Sequence, residues 1–410
     1  MSRMKFGAFL APHHPIGEHP TLQFQRDIDL VAQLDRLGYD EFWCGEHHST
    51  GWETIASPEM FLAAAAQRSH TIKLGTGVIS LPYHHPFNVA QRIVQLDHMS
   101  RGRAIFGSGP GALASDAYTL CIDPLVQRDR QDEALGVIKR LLAGEDRFSY
   151  ECEWFKLKDA RLQLLPLQEK MPMVTASTIS PSGMTLAGKY GTGVISIAST
   201  AAEGLAALAT QWSFAEEAAR KYGNTVDRKD WRVLLSWHIA ETREQARKEA
   251  GAGLMRWNNE YICETLKRLG SKPFTSPDQA VDETAFSPGA AAVIGTPDDL
   301  VAAIRKLIPL TGGFGTLVGF VHDWANPENT TRSWDMVARY VIPEVNRMLD
   351  DYRESRMHVV NNPEPFQQRD KAVMNKILQH DSAAAALAKM ANTGRLAMPG
   401  VAAGLSNKAG

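Results

Sequence analysis

The tripeptide Glu46-His47-His48 sets a carboxylate beside two imidazoles, immediately after the apolar run Phe42-Trp43-Cys44. These are groups that hold or move a proton near neutrality, and imidazole changes charge there unaided. The placement recurs. His13-His14, His84-His85 and His322 also follow apolar runs, so seven of the 13 histidines stand just beyond candidate strands. Core packing gives no reason for that clustering, whereas a catalytic face does. A metal is not expected from it. Adjacent side chains on an extended segment point to opposite faces, so a His-His pair rarely supplies both ligands to one ion. Neither H-x-H nor H-E-x-x-H occurs.

Some scaffold must bring these residues to one place. Short strand-like runs alternate with amphipathic helical segments, the rhythm of a parallel sheet with helical crossovers. Strands are expected at 5–10, at 41–44, and at 72–79, 103–107, 173–176, 194–197, 231–240 and 315–321. Proline at positions 58, 86 and 181 opens helices, and Gly38 closes the first one. Thr296 caps another, with Asp298 and Asp299 suited to its first turn. Eight such units predict an α/β fold, a (β/α)₈ TIM barrel with insertions and a C-terminal extension; a doubly wound sheet is the runner-up. Either topology gathers the strand C-termini at one ligand-binding mouth. The barrel is expected over residues 1–352, interrupted by insertions near 144–168 and 271–292. Residues 353–410 are expected to form an arm, partly disordered or in contact with a neighbouring subunit.

With 410 residues, 44% hydrophobic and 22% charged, the chain can bury a large core. A net charge of -2 gives no electrostatic case for nucleic acid or an anionic membrane. No run approaches the roughly 20 apolar residues needed to span a bilayer. The opening residues lack a signal-peptide pattern, and the 4 cysteines form no C-x-x-C pair, so a reducing cytoplasm is expected. Gly107-Ser108-Gly109-Pro110-Gly111 misses the dinucleotide-binding spacing, and Pro110 removes a backbone donor. It reads instead as a turn that lets a flat ligand approach the backbone at Gly109. Ser177-Thr178-Ile179-Ser180 leads hydroxyls into the helix at Pro181, which suits either a phosphate or a simple cap.

Several stretches together resemble the bacterial luciferase-like flavin monooxygenases, nearest the limonene monooxygenase-like branch. They are Lys5-Phe6-Gly7-Ala8-Phe9-Leu10, Glu46-His47-His48, the run from Gly75 to Pro86, Gln95 to Arg103, Ile179 to Gly183, and Gly312 to Leu317, in the family's order. The resemblance implies a barrel that binds reduced FMN at its strand C-termini. It makes His47 the catalytic histidine; Glu46, beside it, is expected to orient its ring or its loop. It places a non-proline cis peptide at Gly77-Val78, and Ser177 and Ser180 on the flavin phosphate. An arginine that luciferase carries in the fourth loop is Pro110 here, so Arg128 or the helix start after Ser180 is expected to meet that charge. Pro12, Trp43, Tyr83, Ile195 and Trp324 are expected to wall an apolar substrate pocket.

The implied activity is that of a two-component monooxygenase. A separate NAD(P)H:flavin reductase supplies reduced FMN, and dioxygen gives a flavin hydroperoxide. That species oxygenates a small apolar or cyclic organic substrate, with epoxidation of a terpene-like alkene favoured. Baeyer–Villiger or N-heterocycle oxygenation on the same scaffold is the alternative, as are a deazaflavin-dependent dehydrogenase and a non-catalytic flavin-binding barrel. A homodimer or larger homo-oligomer is expected.

Overall fold

The structure is a computed structural model that describes residues 3–197 and 202–392. Eight parallel strands form a closed ring: β1 (Lys5–Leu10), β2 (Glu41–Cys44), β3 (Lys73–Thr76), β4 (Ala104–Gly109), β5 (Met173–Ser177), β6 (Gly193–Ser196), β7 (Trp231–Ile239) and β8 (Thr316–Phe320). β7 pairs with both β6 and β8, and β8 pairs with β1, which closes the barrel. Helices α1 (Pro20–Leu37), α2 (Pro58–Ala66), α3 (Pro86–Met99), α4 (Gln127–Leu142), α5 (Ser182–Tyr190) and α6 (Ala202–Tyr222) cover it. The expected (β/α)₈ architecture is the observed one.

Local chemistry explains the element ends. His19 Nδ1 accepts from the Thr21 amide at the start of α1, and Gly38 ends the helix at φ 82. Asp35 accepts from the amides of His70, Thr71 and Ile72, which fixes the entry to β3. The Arg103 guanidinium donates to carbonyls of Ala66, Ser69, Ile72 and Ser100, tying the ends of α2 and α3 together. Inside the ring, Phe9, Trp43, Ile105, Val174, Ile195, Leu234 and Val318 pack as one buried cluster.

Three expectations need adjustment. The run 72–79 is not one strand: it stops at Thr76, passes through a cis Gly77-Val78 peptide, and resumes at Ile79–Ser80 beside Ser108 and Gly109. The insertion near 144–168 contains an antiparallel hairpin, Phe148–Glu151 with Lys156–Ala160. After β7 the chain forms α7 (Arg243–Arg256) and a wider-pitched continuation, Trp257–Thr265. The stretch 271–292 then carries a helix, Pro277–Val281, and reaches an extra strand, Ala292–Gly295, paired to the end of β7. α8 (Pro297–Thr311) follows with a complete capping box between Thr296 and Asp299, and α9 (Pro327–Met336) follows β8.

The compact barrel unit runs to Asn346, a few residues short of the expected boundary. The second unit begins at Arg347 and consists, where described, of helices Asp350–Asn361, Pro363–Leu378 and Asp381–Asn392. None of its described residues is buried. The remainder of the expected arm, 393–410, lies outside the described residues. Among the described residues, no helix is long and apolar enough to cross a membrane.

Candidate active site

At the strand C-termini the loop after β2 folds back on the exit of β1. His13 and Glu53 form an antiparallel bridge, the His14 amide donates to Trp52 O, and the His47 amide donates to Ile55 O. This fold-back sets His47 on the wall of a cavity of about 330 Å³, the size of a small ligand site. Both ring nitrogens of His47 meet carboxylates. Nε2 lies 3.2 Å from Glu53 Oε1, and Nδ1 lies 3.1 Å from Asp116 Oδ2. Burial alone would depress this imidazole, but the charge of Glu53 and the contact with Asp116 outweigh it and hold His47 above its ordinary value. The partners agree. Burial would raise Glu53 and Asp116, yet the histidines and hydrogen-bond donors around them keep both below the usual carboxylate range.

Glu53 is shared. Its Oε1 also lies 3.2 Å from His13 Nε2, and its Oε2 accepts from the hydroxyl of Tyr261 in the continuation of α7. Asp116, on the short helix Ala114–Thr119, additionally accepts from the His48 amide and the Ser49 hydroxyl. Glu46 does not reach His47's ring. Its Oε1 is 2.8 Å from both His48 Nε2 and His84 Nε2, and its Oε2 accepts from the Ser80 amide. Glu46 therefore ties the loop to the exit of β3. Glu46, His48 and His84 are close enough to surround a cation. The tautomer of His84 speaks against that use: Arg92 can only donate toward its Nδ1, so Nε2 carries a proton toward Glu46.

One wall of the cavity is a run of stacked rings. Phe320, His322 and Trp324 stack in sequence with centroids 4.4 and 3.9 Å apart, and Trp257 meets His322 edge-on. His322 accepts or donates only through Nε2 to Ser236 Oγ, and deep burial beside His13 pushes its pKa well down. Of the expected wall residues, Trp324 lines the cavity. Trp43 and Ile195 do not: both are fully buried in the packed barrel interior, where Trp43 Nε1 donates to Glu41. Pro12 sits against Gly45, and Tyr83 bonds Gln127 at the rim; neither lines the cavity.

Gly77 and Val78 line it as the cis pair. Gly109 does not line this cavity. A Cβ there would meet Val78 Cγ2 at 2.5 Å, so this glycine makes room for the cis peptide's own side chain. Ser177 is buried at the end of β5 with a long contact to Thr178 O, its backbone packed against Gly183, and donors suited to a phosphate lie beside it. Those donors gather at the start of α5. Ser180 Oγ and Ser182 Oγ are 2.8 Å apart, and Arg128 Nε lies 3.3 Å from Ser182 Oγ. No side chain caps this helix, which leaves its first amides free. A Cβ on Gly183 would meet Ala176 O at 2.2 Å, so glycine lets the helix start close on β5. Two hydroxyls, a guanidinium and free amides suit a phosphate dianion, and this donor set fits FMN.

The pattern described as luciferase-like monooxygenase matches residues 4–311. Over 354 residues the chain is 46% identical to 4-hydroxyprotoasukamycin monooxygenase of Streptomyces nodosus subsp. asukaensis, covering 85% of this chain and 94% of that one. It is 47% identical to limonene 1,2-monooxygenase of Rhodococcus erythropolis, covering 84% and 87%. A solved Pseudomonas putida structure is 26% identical with a TM-score of 0.70, covering 84% of this chain and 99% of that one. It is the oxygenating constituent of 3,6-diketocamphane monooxygenase, a type II Baeyer–Villiger enzyme, in complex with FMN. The chain belongs to the luciferase-like monooxygenase family.

Proposed function

We propose that this monooxygenase is the oxygenating half of a two-component system. It takes reduced FMN from a separate NAD(P)H:flavin reductase and, with dioxygen, adds one oxygen atom to a small apolar or cyclic organic substrate. Epoxidation of an alkene is favoured over Baeyer–Villiger insertion, in line with the limonene-type relative. The observation that carries the reading is a cavity-lining imidazole, His47, held by two buried carboxylates opposite a wall of stacked aromatic rings.

Bound reduced flavin supplies the electrons that activate dioxygen. Ser180, Ser182, Arg128 and the first amides of α5 would hold its phosphate. The chain's own residues then have two tasks. Phe320, Trp257 and Trp324 keep water from the cavity, where a reactive oxygen species would otherwise be lost. His47, held charged between Glu53 and Asp116, sets its positive charge on the cavity wall beside oxygen atoms that gain negative charge.

Oxygen uptake with reduced FMN, combined with product mass across alkenes, ketones and N-heterocycles, tests the reading. A product heavier by one oxygen atom supports it, and the substrate class that reacts separates epoxidation from insertion. Absence of uptake across the panel sinks it, and transfer of a substrate's hydride to an oxidised deazaflavin in its place would establish the dehydrogenase. His47→Gln should retain flavin affinity within about twofold while oxygenation falls about a hundredfold.

A further inference from the structure

We propose that Glu53 is a positioning residue that holds His47 as an imidazolium between itself and Asp116, and that Tyr261 and His13 tune this hold by sharing the same carboxylate. The consequence for turnover rests on the oxygenase reading. The state of the ring does not, because it can be observed in the protein without flavin.

Four separate pieces of chain meet around this carboxylate and the His47 ring it holds. His13 arrives from the exit of β1, His47 and Glu53 from the loop after β2, Asp116 from the helix Ala114–Thr119, and Tyr261 from the continuation of α7. The Glu53 side chain is 3% exposed, and its polar side-chain partners among the described residues are two imidazoles and a phenol rather than an arginine or lysine. A buried carboxylate must be compensated, so its charge depends on imidazoles that can lose their protons. The dependence runs both ways. His47 keeps a proton on each nitrogen because a carboxylate waits on each side, and no rotation of the ring frees one nitrogen without taking a donor from one of those carboxylates.

Other groups near the ring do not replace this pair. Glu46 adds negative charge from the same loop but is committed to His48, His84 and the Ser80 amide. His322 is buried and kept neutral, and Arg268, which also lines the cavity, is on the exposed rim. Tyr261 touches only the outer oxygen of Glu53 and stacks near Trp52 and His13, so it can be trimmed by one atom without removing the ring contacts.

The test is side-chain nitrogen NMR of the flavin-free protein through a pH titration, with His47 assigned as the resonance absent in His47→Gln. Wild type should show His47 protonated at both nitrogens at neutral pH. Glu53→Gln should lower the proton affinity of His47 about tenfold, since one of its two charge partners becomes a neutral amide. Tyr261→Phe should move it the opposite way, because Glu53 loses a donor and leans harder on its imidazoles. A mere structural clip predicts no movement in either variant. An unchanged His47 midpoint in folded Glu53→Gln overturns the proposal. Should Glu53→Gln not fold, an unchanged or lowered midpoint in Tyr261→Phe overturns it instead. In turnover, the alkaline limb of kcat should move to lower pH in Glu53→Gln while KM for flavin stays put. A shifted NMR midpoint in a protein that takes up no oxygen would support the role of Glu53 and remove the oxygenase reading.

Discussion

Two ends of one barrel bury acidic side chains and treat them differently. At the N-terminal end, Glu41 at the start of β2 receives two donors from Arg232 of β7, at 2.8 and 2.9 Å, and a third from Trp43 Nε1. All three side chains are buried. At the C-terminal end, Glu46, Glu53 and Asp116 are equally withdrawn from water, but imidazoles stand where the arginine would be. Guanidinium keeps its proton at any pH a protein meets, and imidazole does not. The floor is thus a fixed ion pair that fastens β2 to β7, while the mouth is a set of pairs whose charge can change. A site that handles protons needs the second kind, and a barrel that must not open needs the first.

Breaking the floor should have the largest effect. Arg232→Met leaves the Glu41 carboxylate buried without a cation, which should cost about 3–5 kcal/mol in urea unfolding. Adding Glu41→Gln, which removes the charge and keeps an acceptor for Trp43, should recover most of that loss. Flavin affinity of the folded single variant should be unchanged. If Arg232→Met instead weakens flavin binding more than stability, the ends are not separable as argued. At the mouth, Glu46→Gln removes charge from three contacts and should cost about 1.5–3 kcal/mol, less than the floor because the partners keep access to water.

This contrast also decides what could be read from the chain beforehand. The eight strands and the helices between them were legible because apolar runs and helical stripes alternate and proline and glycine mark the ends, as at Pro58, Pro86 and Gly38. His47 was legible because an acidic residue and two histidines directly after a strand are conspicuous. Its partners were not. Glu53 lies in a polar loop with no pattern, and Asp116 rides on a six-residue helix too short to show a period. Tyr261 comes from more than two hundred positions away, through a segment whose approach to Glu53 is purely tertiary. Trp43 and Ile195 were placed in the pocket because they sit near strand ends, whereas a closed barrel has an interior that fills with such side chains before any ligand meets them. At Gly109 the close approach to the backbone is made by Val78, a tertiary contact that no local pattern announces.

The flavin-phosphate donors sharpen the comparison from outside both networks. Arg128 is exposed and contacts only Ser182 among the described hydrogen bonds, so removing it should leave unfolding unaffected. Arg128→Ala should weaken FMN about tenfold, measured by fluorescence quenching, and reduce the salt dependence of binding. Riboflavin, which lacks the phosphate, should bind wild type and variant alike. Equal loss for both ligands would place the phosphate elsewhere.

The smallest effect expected is in how stability follows pH, and its sign separates the two ends most directly. His48 is raised above its ordinary 6.5, first by its hydrogen bond to Glu46, so its contribution is complete below 6.5 and fades as pH rises through the raised value. Glu46 is lowered below its ordinary 4.5, where burial is outweighed by His48 and His84, so its contribution is complete above 4.5 and fades as pH falls through the lowered value. The difference in unfolding free energy between wild type and Glu46→Gln should therefore be greatest between 4.5 and 6.5 and shrink on either side. The corresponding difference for Arg232→Met should not decline from neutral toward alkaline pH, because the arginine does not titrate there. Parallel curves for the two variants across that alkaline range would mean that the mouth is held as rigidly as the floor, and that its imidazoles are structural ties with no proton to give.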